Sequence, residues 1–194
     1  MFKKAIDIQI PFSPTNDFGI EYNRIMENSK RDWVLFLDPD IFLCHPNWYY
    51  MCQVAIEQYP DTGLFVCWTN RTQGFNRRVD IAIDNDNILD HYYESKRLFN
   101  RFRYECTEVT DSYCVGEFIL VNKLLWTLVG GFPEETAEYA ACDFARQLVK
   151  HLIKIRLIQG LYIYHLQGYP DGTWIEGVLS GREMMNRKEC NLHG

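Results

Sequence analysis

The chain has 194 residues, a length that one domain accounts for, and it is 47% hydrophobic and 24% charged, which excludes a disordered tail, a coiled coil and a fibrous repeat. Twenty Lys and Arg against 26 Asp and Glu leave a net charge of −6. That balance argues against a dedicated nucleic-acid binder, whose affinity rests on neutralising phosphates. Seven cysteines without a C-x-x-C pair give neither a disulfide framework nor a zinc ribbon, so reduced thiols in a cytoplasmic protein are expected. Met1 to Asp7 contains no apolar leader region, and no apolar run approaches the length of a membrane span.

Ala5 to Ile10 alternates and ends at Pro11, as a strand entering a loop does. Residues 18–28 place Ile20, Ile25 and Met26 near helical spacing, after a Ser13–Asp17 cluster with turn and cap chemistry. Asp32-Trp-Val-Leu-Phe-Leu-Asp38 is a continuous apolar run. Without alternation it reads as a strand buried on both faces, the mark of a parallel sheet covered by helices. His45-Pro46 predicts a helix through Gln58 with Pro46 at its first position. Gly63 to Trp68 reads as another buried strand, and residues 70–112 as polar and irregular apart from a helix near 90–103. Cys114 to Val121 reads as a strand and Lys123 to Val129 as a short helix stopped by Gly130-Gly131. A longer helix covers 138–151. Ile153 to Ile158 and Leu161 to His165, separated by a Gln159-Gly160 turn, are expected as two closing strands. The order predicts an α/β layer architecture, with a Gly-rich polar tail from 168 to 194 that packs loosely.

The sharpest chemical signal is Asp38-Pro39-Asp40, at the carboxyl end of the most hydrophobic strand. Ligands of open α/β sheets bind in the crevice outside such strand ends. Two carboxylates alternating there suit one hard divalent cation and a polar group of its ligand. The tripeptide alone fits equally well a turn beside an acidic helix cap. Lys96, Arg97, Arg101 and Arg103, interleaved with Phe99 and Phe102, read as a solvated helix face in a chain of net negative charge. Asp84-Asn-Asp86-Asn lacks the Gly of a calcium loop. The motif also fails a haloacid-dehalogenase-type phosphatase, because a strand and helix precede it and residue 42 is Phe.

Further motifs follow in order: Asn16-Asp-Phe-Gly19 to Asn23 one helix before the acidic pair, then Gly130-Gly-Phe-Pro-Glu134, Asp143-Phe-Ala-Arg-Gln, and Tyr162-Ile-Tyr-His165. From about Ile6 to His165 the chain resembles GT-A-fold glycosyltransferases of the family 2 type, which use nucleotide sugars. The resemblance implies a single GT-A-like domain over 1–194 with a mixed, mostly parallel, Rossmann-like sheet flanked by helices. It implies that Asp40 binds Mn²⁺ or Mg²⁺, that Asp38 reaches the donor's ribose or the metal, and that His165 completes the metal shell. Pro11, Ser13, Asn16, Gly19 and Asn23 match the family's donor-binding loop and helix; Arg71 and Gly116 are further donor contacts, with Glu117 beside them. For His165 the alternative is a strand-end histidine satisfied by a backbone carbonyl, and for the donor loop plain helix capping.

The sequence departs from that pattern twice. Between Ile10 and Asn23 there is no room for the extra strand whose acid reads the nucleobase, so the base stays unassigned among UDP-, GDP- and dTDP-sugars. The acidic pair before the long helix is replaced by Ala140-Ala141-Cys142-Asp143, which leaves Ala141 at the position of the catalytic base of inverting members. Asp143 is the expected substitute, with Glu138 or Glu135 in the preceding loop. The implied activity is metal-dependent, inverting transfer of a sugar to a carbohydrate or other hydroxyl acceptor. The alternatives are a catalytically silent GT-A module that binds nucleotide or carbohydrate, and a metal-dependent nucleotidyl- or phosphotransferase.

Overall fold

A computed structural model describes residues 5–15, 17–70, 79, 85–111, 116–134 and 139–166 of the chain. In chain order they form β1 (Ile6–Gln9), α1 (Phe18–Asn28), β2 (Trp33–Leu37), β3 (Ile41–Leu43), α2 (Trp48–Gln58) and β4 (Thr62–Thr69), then α3 (Ile88–Phe102), β5 (Cys106–Val109), β6 (Phe118–Asn122), α4 (Lys123–Val129), α5 (Ala140–Lys150) and β7 (Lys154–His165). The strands make one mixed sheet in the order β1-β2-β6-β4-β7-β3, with β5 also paired to β7. β1, β2, β4 and β7 share one direction, and β3, β5 and β6 oppose them. Four strand carboxyl ends and the amino end of β6 therefore lie along one edge.

The apolar run of β2 is buried throughout because the sheet is covered on both faces. Val34 and Phe36 join Phe18, Tyr22 and Met26 of α1 and Phe144 and Leu148 of α5. Trp33, Leu35 and Leu37 turn the other way, onto Met51, Cys52, Ala55 and Ile56 of α2 and Phe99 of α3. Strict alternation would have left one face in water, so the continuous run is what a two-sided core requires. Tyr162 and Tyr164 of β7 carry a smaller cluster with Leu98. There His91 of α3 is fully buried, its Nε2 2.7 Å from the Asn85 carbonyl and its Nδ1 2.7 Å from the Tyr162 hydroxyl. A carbonyl only accepts, so Nε2 carries the proton and Nδ1 accepts from Tyr162.

Four sequence expectations shift. The closing segment is one strand, not two. Gln159-Gly160-Leu161 is a bulge, since Cys67 pairs with Ile158 and the next residue, Trp68, with Tyr162. Its polar groups are taken up outside the ladder: the Gln159 N–H donates to Glu105 O at 3.0 Å and the Trp68 indole donates to Gln159 O at 3.0 Å. The strand therefore continues without turning back. Pro46 lies in the turn before α2 rather than inside it, because the His45 carbonyl and Nδ1 accept the N–H groups of Trp48 and Asn47. β6 starts at Phe118, and β3 and β5, three and four residues long, have too few positions to show a period. The 168–194 tail is outside the described residues.

The start of β4 is fastened to β7 by a buried cation. The Arg156 guanidinium donates to Asp61 at 2.8 and 3.3 Å and to the Thr62 hydroxyl, and lies 4.9 Å over the Tyr59 ring. Hydrogen bonding from Arg156 outweighs the desolvation that opposes it and, with Lys154, holds the Asp61 carboxyl at about 2. Asp61→Ala leaves a nearly buried guanidinium short of its partner, which costs about 1–3 kcal/mol and lowers the melting temperature by roughly 2–12 °C. The sign of the pH dependence follows from the depressed value: the contribution of Asp61 is complete above its unfolded value, about pH 4, and is lost as pH falls through about 2. Thermal melts between pH 2 and 7 of wild type and Asp61→Asn should converge at the acid end.

Candidate metal and donor site

The site is built where β2 and β7 end and β6 begins. β2 stops at Leu37, and the Asp38 N–H continues its ladder by donating to Glu117 O at 3.1 Å. A Pro39-Asp40 turn leads directly into β3, which lies antiparallel on the last residues of β7 with Ile41 opposite His165. The Leu166 N–H donates to Asp40 O at 3.0 Å and closes that short ladder. Its consequence is that His165 Nε2 stands 3.2 Å from Asp40 Oδ1, and that one donor atom each of Asp38, Asp40 and His165 lies within 4.8 Å of the others.

Most of this cluster is buried: Asp40 is 8% exposed, His165 3% and the neighbouring Glu117 3%, while Asp38 is partly exposed. Burial by itself lowers the histidine pKa. The hydrogen bond and charge of Asp40 and the charges of Glu117 and Asp38 outweigh it and raise the imidazole to about 9. With no metal bound, the ring carries a proton that offsets part of the negative charge of the three carboxylates, and a cation held by the ring would take that proton's place.

The residues fit a divalent cation. An octahedral ion with ligands at about 2.1 Å has adjacent donors about 3 Å apart and opposite donors about 4.2 Å apart. The separations of 3.2 Å and at most 4.8 Å in the cluster need only small adjustment to match. Two carboxylates with one imidazole suit Mn²⁺ better than Ca²⁺ or Mg²⁺, which prefer all-oxygen shells. Among the described residues, this is the group of acids, histidines and cysteines with that geometry.

The other predicted residues distribute unequally around it. Pro11, buried, and Ser13, whose hydroxyl is 3.5 Å from that of Thr15, follow the carboxyl end of β1 at the same sheet edge. Gly116 precedes Glu117 at the head of β6, where a Cβ would come 3.2 Å from the Tyr22 hydroxyl. Gly19 and Asn23 of α1 are engaged by the 130–134 segment. A Cβ on Gly19 would sit 2.1 Å from Pro133 O, and the Asn23 amide donates to Phe132 O at 2.9 Å and Glu134 at 3.1 Å while accepting from Phe132 N–H and Trp126. These contacts seat Phe132 against Tyr22 and Phe144, with ring centroids 4.8 and 4.3 Å away. Asp143, in the first turn of α5, pairs with Arg146, which also reaches Asp111 at 3.7 Å. Ala141 is buried in the core. Asn16, Arg71, Glu135 and Glu138 are outside the described residues.

Two further residues join the site, Glu117, which the resemblance placed beside Gly116, and Asn70, which carried no distinct sequence signal. Glu117 brings a third carboxylate, buried like that of Asp40, next to a glycine in an otherwise apolar segment. Asn70, completely buried, bonds the main chain of His165 from the end of β4. Only its position directly after a buried strand would have singled it out.

Asp40→Ala should weaken Mn²⁺ binding by more than about 100-fold, beyond the 10–100-fold typical of removing an outer-shell partner. Asp143→Asn, which belongs to a different ion pair, should leave it unchanged. Titration calorimetry with Mn²⁺ checks both.

No protein-family model and no curated protein matches the chain. Among solved structures it is similar to the mannosyltransferase PcManGT from Pyrobaculum calidifontis in complex with GDP-Man and Mn²⁺, at 15% identity and a TM-score of 0.49 over 78% of this chain and 37% of that one. It is similar also to S. aureus TarS 1-349 in complex with UDP-GlcNAc, at 15% identity and a TM-score of 0.48 over 81% of this chain and 42% of that one. The chain thus spans about two fifths of the solved chains it matches.

Proposed function

We propose that this chain binds a nucleotide-sugar donor together with Mn²⁺ or Mg²⁺ and transfers the sugar, with inversion, to a carbohydrate or other hydroxyl acceptor. The observation that carries the reading is the convergence of Asp38, Asp40 and His165 at the carboxyl edge of an α/β sheet. The motif order of the sequence supports the same assignment. Asp38, Asp40 and His165 would hold the cation, which supplies neutralisation of the charge that develops on a leaving nucleoside diphosphate.

The remaining roles fall to this chain's own groups. Pro11, Ser13, Asn16, Arg71 and Gly116 would line the donor side, while Gly19 and Asn23 fix the wall formed by residues 130–134. Glu117, beside the aspartates, is placed to accept hydroxyls of the bound sugar. The acceptor would approach from the amino end of α5, where Asp143 takes the proton of the attacking hydroxyl, with Glu138 as the other candidate. A cytoplasmic setting is part of this reading, and no described helix is long and apolar enough to cross a membrane.

A second reading, a silent module that binds donor without turning it over, is favoured by one observation: Ala141 occupies the expected base position and the carboxylate of Asp143 is already held by Arg146. Both readings are tested by thermal-shift measurements with UDP, GDP, dTDP and CDP, each with and without Mn²⁺. A nucleotide at a hundred times its dissociation constant should stabilise by about 2.7 kcal/mol, roughly 5–11 °C for a domain of this size. The shift should require Mn²⁺ and vanish in Asp40→Ala. Incubation of the matching nucleotide sugar with an acceptor panel then separates transfer, lost in Asp143→Asn, from binding alone. Absence of any metal-dependent shift across the four nucleotides would refute the donor-binding assignment.

A further inference from the structure

We propose that Asn70 is a positioning residue for His165, and that its side-chain amide replaces a missing strand so as to hold the imidazole against the two aspartates. The inference rests on the metal site proposed above and adds to it a residue outside the cluster. β4 and β7 run parallel, and their pairing ends with Thr69 opposite Ile163. Two residues later β7 still needs a partner. On its other side, Ile41 faces His165 while the Leu166 N–H bonds to Asp40 O, so this is a non-hydrogen-bonded antiparallel pair, and the N–H and C=O of His165 point away from β3. They point to where β4 would be had it continued.

Asn70 fills that place with both halves of an amide. Its Oδ1 accepts the His165 N–H at 2.8 Å and its Nδ2 donates to His165 O at 3.2 Å, a pairing between residues 95 apart in the chain. The side chain is fully buried, as is the peptide it serves. An asparagine is suited to this because it carries a donor and an acceptor on one short planar group. The main chain of His165 is thereby pinned from the β4 side by two bonds and from the β3 side by the adjacent ladder. Its ring is left with Nε2 3.2 Å from Asp40. Partners that fix a ligand histidine from outside the metal shell typically govern metal affinity by 10–100-fold when removed.

Such a residue must act through His165, and a double-mutant cycle reads that directly. Mn²⁺ dissociation constants would be measured by electron paramagnetic resonance of free Mn²⁺ on the full chain, for wild type, Asn70→Ala, Asn70→Ser, His165→Ala and the Asn70→Ala/His165→Ala pair. Every measurement is made below the melting temperature recorded in EDTA for that variant. The expected result is a 10–100-fold loss in Asn70→Ala, a smaller loss in Asn70→Ser, which keeps one hydrogen bond, and a double variant within about twofold of His165→Ala. Should Asn70→Ala fail to fold, the same comparison is made with Asn70→Ser in both backgrounds. An Asn70 variant that melts lower in EDTA but binds Mn²⁺ within twofold of wild type assigns Asn70 to stability alone and overturns the proposal. So does an undiminished loss in the His165→Ala background. Wild type that takes up no Mn²⁺ overturns the metal site itself, a result distinguishable from either.

Discussion

The short ladder between β3 and the last residues of β7 is the interaction on which the site depends. β3 has three residues, yet it turns the chain back immediately after Asp40 and lays it beside His165. Without it, two acids at the end of a buried strand would be an ordinary polar turn. With it, the carbonyl of Asp40 is committed to Leu166 and its carboxylate meets the imidazole. β7 is the common partner in this arrangement, because it pairs with β3, β4 and β5 and so joins the site to the centre of the sheet.

That geometry concentrates negative charge in a place with little water. Asp38, Asp40 and Glu117 act together on one histidine, and their combined pull exceeds the desolvation that would otherwise strip its proton. Buried carboxylates at such density are costly unless a cation is near. The imidazolium provides one positive charge, and a divalent ion bound where the donor atoms converge would displace that proton and provide two. The same feature that makes the cluster electrostatically demanding therefore favours cationic partners.

The opposite wall of the edge is a packing solution. Gly130 and Gly131, both with φ near +90°, end α4 and turn the chain so that Phe132 enters the aromatic cluster of Tyr22, Phe36 and Phe144. Asn23 and Gly19 accommodate that turn from α1, one through hydrogen bonds and the other through the absence of a Cβ. Residues that a motif comparison places on the donor side thus hold the shape of the cleft. The amino end of α5, where Asp143 sits beside Arg146, is carried to the same edge because α5 leads into β7.

What the sequence determined by itself were the features with a local cause. The unbroken apolar run of β2 announced a strand buried on both faces. Lys123–Val129 with its two glycines announced a helix and its stop, and Asp38-Pro39-Asp40 stood out because acids rarely end such a strand. Only the tertiary structure decided the features whose cause lies in another part of the chain. β3 and β5 are strands because edges of β7 are free to pair with them. Residues 154–165 stay one strand because Glu105 and Trp68 take up the polar groups of the bulge. Asn70 and Glu117 belong to the site because β4 ends, and β6 begins, where β7 ends. Periodicity and turn chemistry are written within a few residues, whereas the pairing of distant backbone groups is settled by which of them would otherwise be buried without a partner.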